Sequence, residues 1–259
     1  MKDVNSYGWK AVIGSSIGYA MDGFDLLILG FMLTLISSDL GLTTGQAGSL
    51  VTWTLVGAVI GGIIFGTLSD KFGRVRVLTW TIVLFAVFTG LCAFAQGYWD
   101  LLIYRTIAGI GLGGEFGIGM ALAAEAWPAQ HRAKATSYVA LGWQLGVLAA
   151  ALLTPLLIPI IGWRGMFMVG IIPALIAWVF RAKLHEPEIF VQSKADKEHS
   201  HTNSFKLLVK DVRTTKTSIG VAILTSVQNF GYYGIMIWLP NFLSKQLGFS
   251  LTKSGLWTA

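Results

Sequence analysis

One cysteine stands in 259 residues, and only 12% of the chain is charged, against about 25% in soluble domains. A lone Cys92 excludes an internal disulfide and a cysteine-built metal cluster; set inside an apolar run, it reads as a small packing residue. So little charge beside 54% hydrophobic residues excludes an ordinary soluble globule. The chain also lacks a Walker-type Gly-x4-Gly-Lys-Ser/Thr loop, so ATP is not the evident energy source. The first apolar stretch is too long for a signal-peptide core and has no Ala-x-Ala cleavage site, so it reads as a retained helix.

What the chain does have is long apolar runs. About 20 residues cross a hydrocarbon core. Runs near that length fall at 11–36, 46–68, 77–97, 101–124, 136–160, 163–181 and 217–240, with an eighth beginning near Ser254. The expected fold class is therefore all-α, a polytopic membrane protein. The net charge of +6 follows the positive-inside rule rather than implying a nucleic-acid partner. With the N-terminus in the cytoplasm, that side holds Lys2, Lys10, Lys71, Arg74, Arg76, Arg132, Lys134 and the eight bases between 181 and 216. The other side holds only Arg164, Lys245 and Lys253.

Connections are short except for Arg181 to Lys216, which is rich in Lys, Glu, His and Ser. The expected organisation is a six-helix transmembrane bundle over 1–182, a cytoplasmic central loop over 183–216, and the start of a second bundle over 217–259. A repeat supports this. Ser37-Ser38-Asp39-Leu40-Gly41-Leu42-Thr43 matches Ser244-Lys245-Gln246-Leu247-Gly248-Phe249-Ser250 at an offset of 207, and Gly48-Ser49-Leu50 continues onto Gly255-Leu256-Trp257. Parallel six-helix repeats with the substrate site between them at the midplane are a transporter architecture. The chain is then expected to be a fragment or a truncated product, and the full-length protein a monomer. His199-Ser200-His201, in the charged loop, reads as solvated rather than as a metal site.

The first span contains Asp22-Gly23-Phe24-Asp25, two carboxylates three residues apart and hence on one helix face. An ionised carboxylate near the midplane costs about 2.5 kcal/mol or more on insertion scales, so each must face a water-filled cavity, find a partner or take up a proton. Two neighbouring acids raise each other's proton affinity, which suits a proton carrier. The alternative is that the pair bonds polar groups of adjacent helices. The fourth span carries Arg105 and Glu115, ten residues or about 15 Å apart along the axis, so they cannot pair and each needs its own partner. Arg105 could hold a substrate carboxylate or modulate an acid, and Glu115 is a further proton site; a structural ion pair is the alternative for both. Gly109-Ile110-Gly111-Leu112-Gly113-Gly114 lies inside a continuous apolar helix with no preceding strand, so it serves close helix packing rather than dinucleotide binding.

Between spans two and three lies the polar run Gly66-Thr67-Leu68-Ser69-Asp70-Lys71-Phe72-Gly73-Arg74-Val75-Arg76, whose glycines let two helices turn back within a few residues. The fourth span ends in Glu125-Ala126-Trp127-Pro128-Ala129-Gln130-His131-Arg132. Asp70, Arg74, Glu125 and Arg132 could form a salt-bridge cluster that latches one face and breaks as helices rock. Independent solvated charges are the bland alternative. At the repeat offset Asp22 maps onto Asn229 and Asp25 onto Tyr232. Gln228, Asn229, Tyr232 and Tyr233 could offer hydrogen bonds to a solute, as could Trp143 and Gln144 from span five; an aromatic belt is the alternative for the tyrosines.

The run from Gly66 to Arg76, the segment Glu125 to Arg132 and the tail Glu186-Pro187-Glu188 together resemble the major facilitator superfamily over the whole chain. Asp22-Gly23-Phe24-Asp25 is similar to the Asp-Gly-x-Asp signature of the aromatic-acid and sialate proton symporters. Gly113-Gly114-Glu115-Phe116-Gly117, followed by Glu125-Ala126-Trp127-Pro128, is similar to the sialate and lactate group. The resemblance implies the major facilitator fold of twelve helices in two bundles, alternating access, and uptake of an organic anion with protons. It implies coupling and transport roles for Asp22 and Asp25, a cavity charge at Arg105, and gating by Asp70 and Arg74, with Gly66 and Gly73 in the same loop. The tail lacks the Ser-Pro-Arg continuation of sugar porters, and span five lacks the Gly-Pro antiporter motif.

The expectation is thus a proton-coupled symporter of a monocarboxylate, sialate or aromatic acid in a bacterial cytoplasmic membrane. It is no enzyme and needs no cofactor, ATP, metal or nucleic acid; its partners are the solute, protons and lipid. A sugar or polyol carrier and an inactive half-transporter are the competing readings.

Overall fold

The computed structural model describes residues 5–181, 184–187, 190, 209–248 and 253. Lys2, His199-Ser200-His201, Glu188 and the eighth span near Ser254 lie outside them. Every regular element among the described residues is helical: α1 (Ser6–Leu40), α2 (Thr44–Phe72), α3 (Arg74–Cys92), α4 (Tyr98–Glu125), a 3-10 turn (Ala129–His131), α5 (Arg132–Arg181) and α6 (Val212–Leu247).

Local chemistry sets the boundaries. Asn5 caps α1 by accepting from the Gly8 N–H at 2.8 Å. Thr43 and Gln46 form a reciprocal capping box at the start of α2. Gly41 and Gly248, equivalent at the repeat offset, both end their helices in the left-handed conformation, at φ 64° and 65°. The repeated segment therefore repeats its stop signal as well as its letters.

Spans five and six are one continuous helical stretch, broken only at Gly162 (φ 64°, ψ −177°). Its two ends meet the same end of α1: Ala135 and Val139 pack with Val12, while Arg181 bonds the Gly14 carbonyl. The chain thus reverses at Gly162, a backbone geometry that glycine tolerates at little cost. Among the described residues five helical stretches are long and apolar enough to cross a membrane, and the one ending at Arg181 has 53 residues, enough for two crossings.

Twenty of the 35 residues of α1 are buried, against seven of 29 in α2, so α1 is the central helix. Glycines bring its neighbours close. A methyl on Gly142 or Gly146 of α5 would overlap the carbonyl oxygen of Ser16 or Ala20 on α1. Likewise Gly57 and Gly61 of α2 meet Thr106 and Ile110 of α4, while Gly109 and Gly113 of α4 meet Thr54 and Ala58 of α2. The glycine run of the fourth span is indeed a packing surface, turned to α2 and α3 at once. The outer faces are apolar and exposed, Phe94 and Ile160 among them, as lipid contact requires.

Candidate functional site

Antiparallel packing of α1 on α4 sets the register of a buried polar axis. Ser15 lies against Gly119, Gly18 against Glu115, and Asp25 against Arg105. Arg105 donates Nη1 to Asp25 Oδ1 at 3.0 Å and Nη2 to Oδ2 at 2.7 Å, with the side chains 0% and 1% exposed. The fork geometry makes this a two-bonded charge pair, the strong class of hydrogen bond. The ring of Phe167 lies 5.8 Å from the guanidinium and closes one side. Cys92, buried in the same core cluster, donates its thiol to the Phe88 carbonyl at 3.2 Å.

A second pair lies toward the start of α1. Glu115 accepts from Arg181 Nη1 at 2.9 Å and Nη2 at 2.6 Å, and from the Thr81 hydroxyl at 2.7 Å. Arg181 also donates to the Leu78 and Gly14 carbonyls, so this point ties α1, α3, α4 and α5 together. Gly18 makes room for it: a Cβ there would overlap Arg181 Nη2 and lie 2.5 Å from Glu115 Oε2. Arg105 and Glu115 therefore do not pair with each other, as their spacing required. Arg181, counted by sequence among the cytoplasmic-side bases at the end of span six, is 1% exposed and gives both terminal nitrogens to Glu115.

Asp22 sits between the two pairs, one turn from Gly18 and on the same face of α1. It is 1% exposed, and its Oδ1 has no hydrogen-bond partner among the described residues.

Beside it an aromatic cluster joins three helices. Tyr19 of α1 packs on Trp143 of α5 at 5.1 Å, and Trp143 meets Tyr232 and Tyr233 of α6 at 6.3 and 6.2 Å. The Trp143 indole N–H donates to the Tyr232 hydroxyl at 2.8 Å. Gly23 lets this happen, since its hypothetical Cβ lies 2.6 Å from the Trp143 carbonyl oxygen. Tyr19, Trp143 and Gln144 line a recess of about 380 Å³ with Ser137, Ala140 and Leu141. Gln228 and Asn229 are exposed on the part of α6 that packs on nothing described, apart from this cluster. Tyr19 escaped the sequence reading, although it stands one turn before Asp22 on the same face.

At the Asp70 end, Arg74 bonds Asp70 at 2.7 Å and Glu125 at 3.1 Å, joining α2, α3 and α4. Arg132 is exposed and enters no ion pair among the described residues, so three of the four predicted members meet. Gly73 (φ 110°) forms the whole junction of α2 and α3, and a Cβ on it would collide with Glu186. Glu186 accepts from the N–H groups of Val75 and Arg76 at 3.2 and 3.0 Å, capping α3 from 110 residues away. The same short segment bonds Tyr7 through the His185 carbonyl and lays Phe190 on Arg74 at 5.2 Å. Gly66, Asp70 and Arg74 line a recess of about 440 Å³ between α2 and α4. Trp127 anchors the Glu125 segment to α1 by donating to the Gly8 carbonyl at 3.0 Å.

Residues 15–259 match the family model described as Major Facilitator Superfamily. The chain belongs to that superfamily. It is 78% identical over 99% of its length to a Haemophilus influenzae protein named as a candidate metabolite transport protein, and covers 64% of it. It is 34% identical over 95% of its length to the cis,cis-muconate transport protein of Acinetobacter baylyi, covering 60% of it. It is 32% identical over 79% to a sialic acid transporter of Escherichia coli, covering 51%. The chain thus spans roughly half to two thirds of the curated relatives it matches. Among solved structures, a D-xylose-proton symporter superposes with a TM-score of 0.75 at 23% identity, covering 98% of this chain and 65% of that one. The major facilitator fold and a multi-pass membrane protein, of the kind found in bacterial inner membranes, follow from these likenesses.

Proposed function

We propose that the protein containing this chain is a proton-coupled symporter of a small organic anion, a monocarboxylate, sialate or aromatic acid, working by alternating access. The observation that carries the reading is Asp22, buried with an unpartnered oxygen beside the sealed Asp25–Arg105 pair. Charge at such depth is costly and marks ion and substrate pathways. Relatives named for cis,cis-muconate and sialic acid transport support an acid as the solute. Symport also suits an anion: a co-moving proton cancels its charge, so the membrane potential, about 2.3 kcal/mol per charge per 100 mV, no longer opposes uptake.

In this reading Asp22, Asp25, Arg105 and Glu115 carry coupling. Trp143, Gln144, Tyr232 and Tyr233, with Gln228 and Asn229, border the solute path. Gly66, Asp70, Gly73, Arg74 and Glu125 form the gate, with Arg132 at its edge. The N-terminus is cytoplasmic, residues 1–182 form the first bundle, 183–216 the central loop and 217–259 the start of the second. The full protein works as a monomer in lipid without ATP or a cofactor. Uptake of labelled lactate, sialate, nicotinate and benzoate by the full-length protein, with and without a pH gradient, tests it. Acid-driven uptake of at least one is expected, abolished by Asp22→Asn or Asp25→Asn; normal uptake by both variants would overturn it.

A further inference from the structure

Among the described residues five charged side chains are buried to 2% exposure or less: Asp22, Asp25, Glu115, Arg105 and Arg181. They line one face of α1, in the order Glu115–Arg181 at Gly18, then Asp22, then Asp25–Arg105. Three carboxylates therefore share two guanidiniums. Fully ionised, the stack carries one uncompensated negative charge in a medium that penalises it heavily; with one proton it is neutral.

We infer that this stack holds one proton, shared between Asp22 and Glu115, and that Arg181 pairs with whichever of the two is ionised. Three features support the sharing. Arg105 gives both terminal nitrogens to Asp25 as Arg181 gives both to Glu115, and of the two cations it is Arg181 whose charge acts on Asp22. Among the described residues Arg181 and Arg105 each keep an unpartnered, buried Nε, and Asp22 keeps an unpartnered, buried Oδ1. Gly18 presents no side chain between them, and Asp22 stands four residues further on, about 6 Å along the axis, within the sweep of an arginine side chain. Asp22 is faced by Tyr19 and Asp25 from its own helix, Glu115 from α4, Arg181 from α5 and Tyr233 from α6; Arg105 meets the stack at Asp25, and Tyr232 meets Trp143 and Tyr233 beside it. α3 contributes the Thr81 hydroxyl, bound to Glu115.

The step balances. With Glu115 ionised and bound to Arg181, the proton is on Asp22. Breaking that O–H and forming one on Glu115 leaves Asp22 ionised, and the guanidinium follows the charge past Gly18. The stack stays neutral throughout and gives up or accepts a single proton at a time. This deepens the proton-coupled reading above and rests on it for what the proton does; the presence of the proton is tested separately.

The test is infrared difference spectroscopy of the full-length protein in detergent at neutral pH. It reads the carbonyl stretch of a protonated carboxyl without solute or gradient, as differences in band area between variants. Wild type should show one carboxylic acid more than Asp22→Asn and one more than Glu115→Gln, because either amide leaves two acids for two cations. Arg181→Gln, with three acids for one cation, should show twice the wild-type difference, and Arg181→Lys should keep it. A wild-type band no larger than that of Asp22→Asn overturns the stored proton. A band that survives in Glu115→Gln, or is unchanged in Arg181→Gln, overturns the sharing. Should Glu115→Gln not give monodisperse protein, Glu115→Asp keeps the charge count and is expected to shift the band; an unshifted band confines the proton to Asp22 and overturns the sharing. The uptake panel can fail with this pattern intact, which would sink coupled transport and leave the stored proton standing.

Discussion

Arg105 holds Asp25 across 80 residues of sequence through two parallel hydrogen bonds, with neither side chain in contact with solvent. Removing one member strands the other as a buried charge, which costs about 3–5 kcal/mol. Arg105→Ala is expected to lower the thermal unfolding midpoint of the purified protein markedly, and Arg105→Ala/Asp25→Ala to recover part of the loss. Unfolding scans in detergent would check this; equal midpoints for the single and double variants would argue against it.

Packing glycines should be intolerant in proportion to what faces them. Gly146→Val drives a branched side chain into the Ala20 carbonyl and is expected to cut the folded yield severely. Gly45→Ala faces open space in the first turn of α2 and is expected to leave yield and unfolding midpoint unchanged. Size-exclusion profiles of the two, side by side, provide the measurement.

Glu186 completes the start of α3 with two backbone hydrogen bonds. Loss of a capping acceptor typically costs about 0.5–2 kcal/mol, and a negative group at a helix N-terminus adds to that. Glu186→Gln is expected to lie at the low end of that range and Glu186→Ala at the high end. Hydrogen exchange of the amides of Val75 and Arg76 should accelerate in Glu186→Ala and stay slow elsewhere in α3.

The Asp70–Arg74 bond is partly exposed and is expected to contribute below about 1 kcal/mol to stability. Asp70→Asn should therefore unfold almost as the parent does. If the cluster gates transport, the same variant should lose uptake at least tenfold. A variant with unchanged uptake would remove Asp70 from the gate.

Much of the fold was legible because hydropathy reads out directly as span length, and the glycines of the Gly66 to Arg76 run mark the turn between spans two and three. The gap that hydropathy leaves between spans five and six, from 160 to 163, is where the structure reverses the chain, at Gly162 alone. The site was legible only in part. A hydropathy profile shows where a charge falls along a run, but not the face it occupies or the helix it meets, so Asp25 and Arg105 appeared as separate candidates. Arg181 appeared only as one of the cytoplasmic-side bases for the same reason. Gly18 gave no signal, and Gly23 gave one only as a letter of the Asp-Gly-x-Asp signature, because what they contribute is absence of bulk at a point set by tertiary packing. Glu186 was visible only as part of a family tail, since no local pattern ties it to a helix 110 residues earlier.

Cys92 is sealed in the core with its thiol bonded to Phe88, and it is the lone sulfhydryl in these 259 residues. Within these 259 residues a thiol engineered onto the surface would compete with no exposed native one for a maleimide. Fluorophores or spin labels for following the rocking motion could therefore be attached along this stretch site by site while Cys92 is left in place.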